Sequence, residues 1–114
     1  MIFEVGEKVH IIERRFFVED LRRHFVGEII KCTDHAIRLR GYTCVFDTTQ
    51  GQFLRKPVKK ERVIYLGDRL TISIIPKGVD LEDIEYVILP QQGLVVTDTE
   101  KTFTLDVTEF TSMR

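Results

Sequence analysis

The sequence predicts a mainly β protein: a small, strongly bent β-barrel with one short helix and a C-terminal β-hairpin extension. Three observations carry that expectation. The apolar residues are rich in Val, Ile and Phe and include almost no Ala. β-branched and aromatic side chains fit a pleated surface, whereas Ala is the best helix former. Short apolar runs recur with turn residues between them, the pattern of an all-β chain. Gly27 and Gly41 fall inside two successive long strand patterns, where glycine marks a bend or bulge and lets a small barrel turn a corner.

Taken in order, a first strand is expected over Lys8–Glu13, KVHIIE. The segment Arg14–Arg23, RRFFVEDLRR, reads either as a loop or as one or two helical turns. Strands follow at His24–Thr33 and Ala36–Asp47, joined by a turn at Asp34-His35. In the second of these, Ile37 and Leu39 alternate with Arg38 and Arg40, so one face is buried and the other is wet. After Gly41, Tyr42, Cys44 and Phe46 share a face and Val45 lies on the other. Asp47–Gly51 is a turn, and Gln52–Lys56 and Arg62–Leu66 are strands joined by the basic stretch PVKKE. Gly67-Asp68 predicts a tight hairpin turn into Arg69–Ile75, where Leu70, Ile72 and Ile74 alternate with Thr71 and Ser73. Asp80 caps a short helix over Leu81–Tyr86, with Glu82 and Asp83 in its first turn. Leu94–Thr97 and Thr102–Val107 flank DTEK as a hairpin, with Phe103, Leu105 and Val107 on one face.

A chain of 114 residues has room for one domain, 1–114, with the barrel over 8–75 and the helical turn and hairpin over 76–114. With 43% hydrophobic and 31% charged residues, the composition is globular. Two cysteines, no apolar leader and no run near the ~20 apolar residues of a membrane span point to a cytoplasmic protein with free thiols and no membrane partner. The net charge of −1 is unevenly spread. Residues 1–60 hold 12 Lys/Arg against 8 Asp/Glu, and residues 61–114 hold 5 against 10. That asymmetry suits self-association as well as a nucleic-acid partner.

The middle of the chain, from Lys8 to Ile75, resembles the Sm-like small β-barrel family. Gly27 and Ile29 match the start of its first motif, Asp34 its turn Asp with one extra residue between, and Ile37 and Leu39 its apolar positions. Arg38 stands where the family has an RNA-contacting Asn. Its second motif, an apolar-Arg-Gly triplet, reads Tyr65-Leu66-Gly67-Asp68, with Leu66 in place of the Arg. The resemblance implies a five-stranded bent barrel, a ring-shaped oligomer and RNA binding, although both RNA-contacting side chains differ. A convergent SH3-like barrel accounts for the same pattern, and the segment from Pro76 onwards lies outside it.

The basic set comprises Arg14, Arg15, Arg22, Arg23, Arg38, Arg40, Arg55, Lys56, Lys59, Lys60 and Arg62. Clustered, these would neutralise phosphates and bind RNA in a salt-dependent way. Phe16, Phe17, Tyr42 and Tyr65 would offer stacking platforms. Dispersed, the same residues are an ordinary solvated surface, offset by Glu13, Glu19 and Asp20. The strongest RNA candidates are Arg14, Arg15, Arg22, Arg23, Arg38, Arg40, Lys59 and Lys60. Phe16 and Phe17 are candidates for a protein-partner interface, since aromatics and Arg are enriched there, and a strand edge of the C-terminal hairpin is another. Cys32, His35, Cys44, His24 and His10 are the residues a zinc site would need, but the Cys-x-x-His spacing occurs once and both cysteines fall on strands. No metal or other cofactor is therefore expected. Neither a nucleophile motif, nor a P-loop, nor a dinucleotide fingerprint is present. The expectation is a non-enzymatic binding or assembly module.

Overall fold

The computed structural model describes residues 2–14, 23–47, 49–67, 69–90, 93–99 and 103–107. The protein is mainly β, and the chain divides into two compact units, Met1–Lys77 and Gly78–Arg114.

The first unit holds strands β1 (Lys8–Glu13), β2 (Arg23–Cys32), β3 (Ala36–Asp47), β4 (Gln52–Arg55), β5 (Lys60–Tyr65) and β6 (Leu70–Ile75). They form one antiparallel sheet in the order β4-β3-β2-β1-β6, with β5 also paired to β3. β3 serves two partners in succession: its first half, Ala36–Gly41, pairs with β5, and Cys44–Asp47 pairs with β4. The change of partner follows Gly41, which lies directly opposite Gly27 of β2. A Cβ on Gly41 would lie 2.0 Å from the Val26 carbonyl oxygen, and one on Gly27 would lie 2.9 Å from the Arg40 oxygen. The paired glycines therefore let the two backbones approach closely at this point. A register shift between Ile29 and Lys31 adds an irregularity near the far end of the β2–β3 ladder.

Gly67 does not make a hairpin between β5 and β6, as the sequence suggests. β5 lies against β3 and β6 lies against β1, on opposite margins of the sheet. The Leu66 N–H still donates to the His35 carbonyl (2.8 Å), continuing the β5–β3 ladder, and Arg69 accepts from the Arg14 N–H (2.8 Å), continuing β1–β6. Three residue steps cover at most ~11 Å. Four strand spacings in a flat sheet would need ~19 Å. The sheet must therefore curl to bring its margins together at this end. No ladder joins β5 to β6 among the described residues, so the sheet is not closed into a barrel.

The inner side of the curl carries the core of Val9, Ile11, Ile29, Ile37 and Leu39, with Phe25, Ile64, Leu66, Leu70 and Ile72 packed against it. Ile74, which the alternation places with Leu70 and Ile72, is 54% exposed, and Ile75 is buried instead. The other face of β1 and β2 is buried too, at His10, Ile12, His24 and Val26. There the His10 ring meets the His24 ring edge-on (5.1 Å between centroids), and His24 stacks on Phe53 (4.5 Å).

In the second unit the short helix is reduced to a single 3-10 turn, Leu81–Asp83. Asp80 does cap it, accepting from the Glu82 N–H at 2.9 Å. The chain turns extended at Ile84 because Tyr86, Val87 and Ile88 favour strand over helix. That segment is β7 (Glu85–Leu89), which joins β8 (Gly93–Thr97) and β9 (Thr104–Asp106) in a three-stranded antiparallel sheet. The C-terminal hairpin is thus one part of a larger sheet. Among the described residues, no helix is long and apolar enough to cross a membrane.

Candidate functional site

Beyond the glycine pair, the inner face of the curl changes from apolar to basic. Alternation along β5 puts Lys60 and Arg62 on the side of Ile64, opposite Gly41 and Leu39. On β2, Arg23 lies opposite Val45, one residue pair beyond His24 and Cys44. The β4–β5 connection adds Lys56, Pro57 and Val58. These residues, with Thr43 and Val45, line a concavity of about 520 Å³. Among the described residues its lining holds the cations Arg23, Lys56, Lys60 and Arg62 and no carboxylate.

Thr43 organises the centre of this surface. Its carbonyl accepts from the Lys56 N–H at 2.8 Å, and its Oγ1 accepts from Arg62 Nε at 3.1 Å. The Arg62 guanidinium also lies over the Phe25 ring, 5.5 Å from its centroid, a cation–π contact. Arg62 is thereby held from two sides. None of Arg23, Lys56, Lys60 and Arg62 forms an ion pair with a described residue. Like charges around one hollow repel one another, and a bound anion would relieve that cost.

The sequence candidates divide around this surface. Arg23 and Lys60 belong to it. Arg38 and Arg40 project from the exposed face of β3, opposite Ile37 and Leu39. Arg40 there pairs with Glu61 at 2.8 Å, and the hydrogen bond from Arg40 holds the Glu61 carboxyl below its ordinary range. Arg14 follows the end of β1, where its carbonyl accepts from the Arg69 guanidinium at 2.7 Å. Lys59 lies 5.8 Å from the centre of the Tyr42 ring and Arg55 4.5 Å from it. Tyr42 is buried under these cations and offers no free stacking platform, whereas Tyr65 is exposed on β5. Arg15, Phe16, Phe17 and Arg22 lie outside the described residues. Lys56 and Arg62, ranked behind the leading candidates by sequence, are central. The signal for Arg62 was its two-residue spacing from Ile64, which fixes its face.

Both cysteines are free thiols, Cys44 buried and Cys32 half-buried. Cys32 Sγ lies 3.5 Å from the Phe3 carbonyl. Among the described residues, no three His, Cys, Asp or Glu side chains gather as a metal site would require. Comparison with protein-family models, curated proteins and solved structures finds no match.

Proposed function

We propose that the chain is a non-enzymatic, cytoplasmic binding and assembly module whose first unit acts as a small Sm-like or SH3-like barrel, self-associating and contacting RNA. The observation that supports RNA over other partners is the hollow containing Arg23, Lys56, Lys60 and Arg62, with no carboxylate among the described lining residues. Such a surface neutralises phosphates and releases counterions. The crossing of the chain from β5 to β6 between opposite sheet margins supports the barrel reading. Single-stranded RNA should bind at ~50 mM salt and lose most of its affinity by ~200 mM. Absence of binding at the lower salt would remove RNA from the account. Light scattering should give a mass above the 13.4 kDa of one chain, and a monomer would remove the assembly part.

A second reading, docking of another protein chain, rests on β5. Val63 and Tyr65 are 53% and 77% exposed there, and among the described residues β5 pairs only with β3. Its outer edge could accept an added strand through backbone hydrogen bonds. Tyr65→Gln should weaken capture of such a partner while leaving RNA affinity unchanged.

A further inference from the structure

The shape of the basic surface narrows what it takes. A protein that follows a nucleic-acid strand uses a charged groove spanning several nucleotides, with successive stacking rings. Here the cations meet around one hollow of about 520 Å³, within the range of small-molecule sites. Among the described residues they do not continue as a track: Arg38 and Arg40 project from the opposite face of β3, and Tyr42 is buried. Opposite charge alone would not distinguish one phosphate from another. An internal phosphodiester carries one negative charge. A phosphomonoester carries about −1.5 to −2 at neutral pH and presents three acceptor oxygens.

We infer that the hollow seats the phosphomonoester of a single nucleotide, either free or at the end of an RNA strand. The inference rests on the RNA reading above and specifies which part of the ligand is bound. Arg62 is the primary anion ligand. Thr43 Oγ1 fixes its Nε, so its terminal nitrogens are oriented before the ligand arrives, and a guanidinium fork matches phosphate geometry. Lys56, Lys60 and Arg23 complete the charge around it. Val45, Pro57 and Val58 supply an apolar part of the lining for the sugar and base. Thr43 is a positioning residue, acting through Arg62.

The test compares short single-stranded RNAs of about five nucleotides carrying a 5′-phosphate, a 3′-phosphate or hydroxyls at both ends. A nucleoside monophosphate and a strand about three times longer complete the set, all at ~50 mM salt. A terminal phosphate should tighten binding about tenfold or more, and lengthening the strand should change affinity little. Arg62→Gln should remove the terminal-phosphate preference. Thr43→Val should weaken it with thermal stability unchanged, and Thr43→Ser should restore it. Affinity that grows with length and ignores the terminal phosphate overturns this inference and leaves RNA binding standing. Binding of the nucleoside monophosphate without any RNA binding supports the hollow as a nucleotide seat and overturns the RNA reading. No binding of any probe overturns both. If Thr43→Ser fails to restore the preference in a folded protein, the positioning role is wrong.

Discussion

A methyl group at position 41 would lie 2.0 Å from one backbone oxygen and 2.5 Å from the Gly27 Cα. Backbone atoms cannot yield as a flexible side chain can, so Gly41→Ala should cost about 3–5 kcal/mol or prevent folding. Gly27→Ala meets its nearest atom at 2.9 Å and should cost less, about 1–3 kcal/mol. Urea denaturation of both variants checks the order, and an Ala at 41 tolerated better than at 27 would contradict it. His10 makes a second residue-scale prediction. Burial, with a further contribution from His24, pushes its pKa from 6.5 down to about 3. In the unfolded chain the imidazole takes a proton as pH falls through 6.5, while in the fold it stays neutral. Protons therefore favour the unfolded state below pH 6.5, and this group adds no pH dependence above it. Stability should fall by up to about 1.4 kcal/mol per pH unit between those two values. Denaturant midpoints at about pH 7.5 and about pH 5 should differ in that direction, and His10→Leu should flatten the difference. An unchanged midpoint in the parent protein would show that His10 titrates normally.

At the scale of strands, legibility followed local pattern. β1 and β3 could be bounded from sequence because turn residues precede both and Ile37 and Leu39 alternate with Arg38 and Arg40 at the start of β3. β7 could not. Asp80, Glu82 and Asp83 are good helix-start residues, and the local signal favoured a helix until tertiary pairing with β8 claimed Tyr86 to Leu89. The β5–β6 connection misled for a similar reason. A Gly-Asp pair is compatible with a hairpin, yet which strand accepts β6 is decided by distant residues of β1. The basic surface was half legible for the same cause. Charge is written in composition, but which cations share a hollow depends on strand register. The β1 contribution can be measured. Ile11 is fully buried, opposite Phe25 on β2 and Ile72 on β6. Ile11→Ala should cost about 2–5 kcal/mol by chemical denaturation, and a cost under about 1 kcal/mol would mean that β1 is not central to the core.

For the whole molecule, the overall charge of −1 conceals the feature that bears on function. The chain is nearly neutral, yet one hollow of its first unit gathers four cations and, among the described residues, no acid, while Arg40 on the other face of β3 is neutralised by Glu61. Position, and not the total, decides where an anion is drawn. Where the anion seats can be read from backbone amide NMR shifts during titration with single-stranded RNA. Shifts should concentrate at Arg23, Thr43, Lys56, Val58, Lys60 and Arg62, while Arg38 and Arg40 stay quiet. Shifts centred on Arg38 and Arg40, with the hollow unmoved, would contradict it.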